Sequence, residues 1–309
     1  MKKSVAANVS SATSAVGWIV VVLVLMQAIT GVLLGLLYRP SQAPARWVDG
    51  RYATVMTSER VVQMGPFADT VGARGRPVLG PAGPQDIVLS EAASSVAVSI
   101  PEAPLGGFIR NIHHTNTGWL YAACLLWFVL LVVGRAYTTG MRIWVVSIFV
   151  LILVVASAWS GRILPDDVYA EISRRIVGHQ LQEAPFGTFI ASVFGISPDD
   201  VHLSRTFFMH VLMGAGLVAL VWGYRARRGL AYAIAFVVVV SGVSAVVGPE
   251  LGPLRDAVRG LDGSAHADPW WVVSPLHALV GWFGAELAGY LVIAVVLGLF
   301  VLALPRRIR

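Results

Sequence analysis

Two histidines stand near the same end of two separate apolar stretches, His113 in GGFIRNIHH (Gly106 to His114) and His210 in HLSRTFFMH (His202 to His210). Histidine inside a membrane bundle is costly unless something binds it. Residues fourteen apart on a helix lie nearly four turns from each other, roughly 21 Å along the axis and on almost the same face. That interval recurs between Gly17 and Gly31 in one apolar stretch and between Ser147 and Gly161 in another. A glycine on a facing helix lets something wide and flat approach the backbone. Fourteen residues inward from the two histidines stand Trp127 and Tyr224, and neither carries an imidazole. The chemistry this suggests is the holding of something wide and flat against the helix backbones.

The elements that would position these residues are written in the composition. The chain has 309 residues, 56% of them hydrophobic and only 13% charged, with a mean hydropathy of +0.72. Six stretches lack Asp, Glu, Lys and Arg: Ser4 to Tyr38, Asn111 to Gly134, Ile143 to Gly161, Thr206 to Tyr224, Gly229 to Pro249 and Leu287 to Pro305. Each is long enough to cross a hydrocarbon core of roughly 30 Å as a helix. Disorder, secretion as a soluble domain and nucleic-acid binding are poor readings, even with a formal net charge of +6. The first stretch runs on through Leu36 and Leu37 without an A-x-A-like cleavage site, so it reads as a membrane helix and not a signal peptide. The single cysteine, Cys124, excludes an intrachain disulfide and a C-x-x-C-H attachment site, and reads as a small apolar filler.

With six crossings, the segments sharing the amino-terminal side are Met1 to Val16, Arg135 to Arg142, Arg225 to Gly229 and Arg306 to Arg309. They hold 10 of the 23 Lys and Arg residues and none of the 17 Asp and Glu. The positive-inside rule makes that side cytoplasmic, with both termini on it and a multi-pass chain in a bacterial plasma membrane. The expected organisation is a first transmembrane helix over 1–38 and a long extracytoplasmic connector over 39–107. Ligand-bearing helices follow over 108–228, with an amphipathic connector at 164–204, and two more helices over 229–309 with a connector at 249–286. In the first connector, Pro and Gly with short alternations such as Asp86 to Leu89 predict a small strand-containing cap. In the second, Val168, Ile172, Arg175, Ile176 and His179 recur at helical spacing, predicting interfacial helices. No tandem repeat stands out.

These strings, together with SGRILPDD (Ser160 to Asp167) and ITG (Ile29 to Gly31), resemble a cytochrome b of the bc1/b6f family. The resemblance covers the six apolar stretches in order, roughly three quarters of the chain, but not most of the 39–107 connector. It implies an all-α membrane protein, about six transmembrane helices in a cytochrome b-like bundle, with interfacial helices and a small outer loop region. The family holds two b haems between two helices, each haem by one histidine from each helix. Here the resemblance implies haem-iron ligands at His113 and His210, flanked by Gly31 and Gly161, with Arg110 and Arg205 near the haem propionates. Snorkelling to the interface is the competing reading of both arginines. The inner pair falls on Trp127 and Tyr224 and the inner glycine of the third stretch on Ser147, which implies one haem, on the outer side. A neutral imidazole is a good axial ligand, and two of them leave no open site for oxygen chemistry, so such a centre moves electrons.

The family's outer quinol pocket carries Pro-Glu-Trp-Tyr, and the corresponding residues here are Asp268, Pro269, Trp270 and Trp271. Proline at the glutamate position leaves Asp268 or Glu250 as candidate quinol proton acceptors, because deprotonation needs an acceptor within hydrogen-bond reach. Trp270, Trp271 and Trp282 equally suit an interfacial aromatic belt. His114, His179, His202, His266 and His277 read as surface or packing residues. The expected function is a single-haem electron-transfer subunit of a respiratory or photosynthetic complex, relaying electrons between a quinone pool and an outer-face redox partner. A Rieske protein or a c-type cytochrome is the partner suggested by family association. A haem-free structural anchor is the alternative, and a transporter is disfavoured by the scarcity of charge inside the helices.

Overall fold

The computed structural model describes residues 2–46, 54–57, 85–197, 201–224, 229–247 and 274–302. Helix α1 spans Lys2–Gly35, and strands β1 (Thr54–Thr57) and β2 (Gln85–Val88) follow in the first connector. The strands pair antiparallel, Thr54 opposite Val88 and Thr57 opposite Gln85, forming the small cap that the alternation at Asp86 to Leu89 predicts. The remaining main helices are α2 (Gly106–Val133), α3 (Met141–Ile163), α4 (Val168–Glu183), α5 (Gly187–Phe194), α6 (Leu203–Trp222), α7 (Leu230–Val247) and α8 (Ser274–Leu302). Five helices have described stretches long and apolar enough to cross a membrane: Ser11–Gly35 of α1, Gly106–Val133, Met141–Ile163, Leu203–Trp222 and Trp282–Leu302 of α8. The sixth expected crossing, Gly229 to Pro249, holds the shorter apolar helix Leu230–Val246.

Local chemistry sets the helix ends. Asp167 caps α4 by accepting from the Ala170 N–H at 2.7 Å, the usual role of Asp at an N-cap. Gly195, at φ +69, ends α5 in the left-handed conformation that glycine adopts without a Cβ clash. Helices α2 and α5 start by the same device, because Glu-Ala-Pro-Leu-Gly-Gly-Phe-Ile at 102–109 recurs as Glu-Ala-Pro-Phe-Gly-Thr-Phe-Ile at 183–190. In each copy the bulky residue, Leu105 or Phe186, takes a left-handed φ of 59 or 60°. The next glycine N–H donates back to Ala103 or Ala184 at 2.9 Å. A Cβ on Gly106 or Gly187 would run into the carbonyl of Ile100 or Leu181, so only glycine fits.

Helices α1 and α3 each pack against both α2 and α6, whereas α2 and α6 do not pack against each other to a comparable extent. Helices α2 and α6 therefore face each other across side chains, without packing directly. At the end of the bundle carrying Trp127 and Tyr224 the interior belongs to a core including Val20, Leu23, Trp144, Val150 and Val237, all at most 1% exposed. The expected stripe on α4 holds only in part: Val168 and Ile172 are buried and Ile176 half-buried, but His179 is exposed and Arg175 reaches outward, pairing with the buried Glu171.

Candidate functional site

His113 projects from α2 and His210 from α6, across the space between the two helices. Their ring centroids are 6.3 Å apart and their planes cross at 71°. With metal–nitrogen bonds of about 2 Å, that spacing would let both imidazoles reach one metal ion between them. Among the described residues no group of three or more His, Cys, Asp or Glu side chains could hold a metal ion. Two imidazoles are an incomplete ligand set by themselves, which suits a metal whose remaining ligands come from a macrocycle.

The glycines form the cradle. A Cβ built on Gly31 of α1 would sit 3.0 Å from His113 Cε1, and one on Gly161 of α3 would sit 2.8 Å from His210 Cε1. Any side chain at either position pushes an imidazole out of place.

Both rings are held through Nδ1. The Thr30 hydroxyl lies 3.0 Å from His113 Nδ1 and spends its own hydrogen on the Met26 carbonyl at 2.7 Å, so its oxygen accepts from the ring. His210 Nδ1 donates to the Ser157 carbonyl at 3.0 Å, with the Ser160 hydroxyl 3.1 Å away. A carbonyl only accepts, so the proton of a neutral His210 belongs on Nδ1 with the free lone pair on Nε2, and an accepting Thr30 oxygen gives His113 the same tautomer. That is the arrangement of metal-binding histidines, whose other ring N–H is tied to a carbonyl or similar acceptor. Gln27 of α1 adds a brace, donating to the His113 backbone carbonyl at 2.9 Å and to the Thr117 hydroxyl at 2.6 Å.

The structure thus brings His113, His210, Gly31 and Gly161 together. Arg110 and Arg205 are each tied to a backbone carbonyl of a connector, Arg110 to Val96 and Arg205 to Ser192, both at 2.8 Å. Arg110 Nε remains buried with no hydrogen-bond partner among the described residues. Asp268 and Glu250 lie outside the described residues, as do Pro269, Trp270, Trp271 and His266, so the sequence expectation of a quinol pocket there stays an expectation. Thr30, Ser157, Ser160 and Gln27 were not singled out by residue type. A signal existed, because Thr30 immediately precedes Gly31 and Ser160 immediately precedes Gly161.

At the other end of α2 and α6 the corresponding positions are filled. Trp127 and Tyr224 meet edge to face at 5.8 Å, and Trp18 closes on Tyr224 from α1 at 5.4 Å. Gly17 faces them, and a Cβ there would overlap the Tyr224 hydroxyl. That hydroxyl donates to the Ser14 carbonyl at 3.2 Å. Ser147 is buried and donates to the Trp144 carbonyl at 2.7 Å.

Comparison with known proteins points to one family of similar chains. A family model described as cytochrome b (N-terminal)/b6/petB matches residues 122–227, which include Gly161 and His210. The cytochrome b subunit of the cytochrome bc1 complex of Corynebacterium efficiens is 32% identical over 136 residues, covering 38% of this chain and 24% of that protein. The match thus spans about a quarter of that relative's length. Among solved structures, a hyperthermophilic respiratory Complex III chain superposes with a TM-score of 0.62 at 19% identity, over 94% of this chain and 75% of that one.

Proposed function

We propose that the chain is a cytochrome b-family membrane electron-transfer subunit holding one bis-histidine b haem near the outer face, a reading supported by its similarity to the cytochrome b (N-terminal)/b6/petB model and to a bc1 cytochrome b subunit. The observation that carries this reading is the His113 and His210 pair, 6.3 Å apart with both Nδ1 atoms engaged, set against an inner position packed with Trp127 and Tyr224. Bound there, a b haem supplies reversible one-electron chemistry at an iron with no open coordination site. The chain's own part is to present the two Nε2 atoms and to keep space open beside Gly31 and Gly161. Arg110, with its unpartnered Nε, is the side chain suited to a carboxylate at the rim.

A single centre near one face does not carry electrons across the bilayer. The subunit therefore relays electrons on the outer side, between a quinone or quinol and a redox partner such as a Rieske protein or a c-type cytochrome. Asp268 or Glu250 is the proposed acceptor of a quinol proton. The test is the haem-to-protein ratio of the purified chain, with a reduced-minus-oxidised spectrum. One low-spin haem per chain is expected. Two would overturn the reading, and none would favour a structural anchor.

The outer placement follows from the acid-free basic segments. Glu102 and Arg135 are both exposed and lie before and after α2, while Cys124 is buried. A cysteine at position 102 should react with an impermeant maleimide on intact cells, and one at 135 should not. The reverse pattern inverts the topology.

A further inference from the structure

The two imidazoles are held unequally, and we propose that Thr30 is a positioning residue that lowers the reduction potential of the haem through His113, while His210 is held redundantly. The proposal rests on the single-haem reading above and adds a role that neither ligand nor glycine supplies.

On the α2 side, Thr30 is the nearest acceptor and the one supplied by a side chain. Its Oγ1 lies 3.0 Å from His113 Nδ1, with the Gln27 backbone carbonyl as a further acceptor beside the ring. The Thr30 hydrogen is committed to the Met26 and Gln27 carbonyls, at 2.7 and 3.2 Å, so the oxygen keeps a lone pair turned to the ring. Thr30 is 5% exposed, which leaves little room for water to replace the hydroxyl. On the α6 side, three oxygens surround His210 Nδ1: the Ser157 carbonyl at 3.0 Å, the Ser160 hydroxyl at 3.1 Å and the Ser157 hydroxyl at 3.5 Å. The carbonyl belongs to the backbone, so no side-chain change at 157 or 160 removes it.

A hydrogen bond donated from Nδ1 raises the basicity of the opposite nitrogen, and a more basic axial ligand favours ferric over ferrous iron. In a low-dielectric bundle the effect is not diluted by solvent. Removing the nearest acceptor on the α2 side shifts the balance toward ferrous. Removing one of three on the α6 side does little.

The experiment is a redox titration of the haem in the full-length chain, wild type against Thr30→Val, Thr30→Ser and Ser160→Ala. Thr30→Val should keep the haem and favour the ferrous state about tenfold, a rise of about 59 mV for one electron. Thr30→Ser, which restores the acceptor, should return the potential to wild type, and Ser160→Ala should stay within about twofold of it. An unchanged potential in Thr30→Val with haem retained overturns the positioning role but leaves the single-haem reading standing. An equal shift in Ser160→Ala overturns the inequality. If Thr30→Val loses haem, Thr30→Ser decides: haem at the wild-type potential supports the proposal, and loss there too overturns it. A wild-type chain without haem overturns the site reading itself.

Discussion

His210→Ala is expected to abolish haem absorption while the helical content of the chain is preserved. The ring of His210 faces that of His113 between α2 and α6, and it is one of two imidazoles on which an iron between these helices would depend. With one axial ligand gone, the remaining imidazole cannot hold a low-spin centre. Removing the ring deletes little core packing, because it is only partly buried, so the loss should be of cofactor and not of fold. The reduced-minus-oxidised spectrum and the circular dichroism of the same sample check both halves. A graded companion is Gly161→Val, whose Cβ would sit 2.8 Å from His210 Cε1 and which should weaken haem retention. Gly214 on the same helix as His210 has open space where a Cβ would go, so Gly214→Ala should leave the spectrum as it is. A haem that survives in His210→Ala would sink the ligand assignment.

The parts of the site that could be read in advance are those whose residue types are expensive where they stand. Histidines in apolar helices and glycines facing them announce themselves, since the bilayer tolerates neither polar groups nor helix-weakening residues without a reason. The spans were legible for the same reason, as runs without charge. The holding groups were not. Thr30 and Ser160 are ordinary membrane-helix residues that can satisfy themselves on their own backbone, and the Ser157 carbonyl is invisible in any sequence. Arg110 and Arg205 were legible as cations near the histidines. Their partners, the Val96 and Ser192 carbonyls, depend on how two connectors fold back over the helices. The repeated Glu-Ala-Pro turn at 102–109 and 183–190 passed unnoticed because its copies lie far apart, and its shared left-handed residue is a leucine or a phenylalanine. Bulky side chains there are rare enough that sequence reasoning gives them no weight.

Trp127→Ala should destabilise the chain by roughly 3–5 kcal/mol while leaving the haem spectrum and the haem-to-protein ratio unchanged. Trp127 is 3% exposed and packs among Val20, Leu131, Trp144 and Leu217 in the core between α2 and α6. Its truncation opens a large cavity beneath Tyr224, which the stiff neighbouring helices can collapse only in part. The indole Nε1 has no hydrogen-bond partner among the described residues, so the loss is one of packing. Trp127→Phe should accordingly cost much less, because it keeps most of the ring volume and removes a buried, unpaired N–H. Denaturant or thermal unfolding in detergent, followed by helical signal, measures the first half, and the spectrum measures the second. Loss of the haem in Trp127→Ala at temperatures where the chain remains folded would mean that the aromatic end takes part in cofactor binding. With the haem unaffected, the aromatic end is packing, and an inner electron-transfer centre has nowhere to sit between α2 and α6. A quinone on the inner side would then have no donor within this chain, and electron flow would stay at the histidine end.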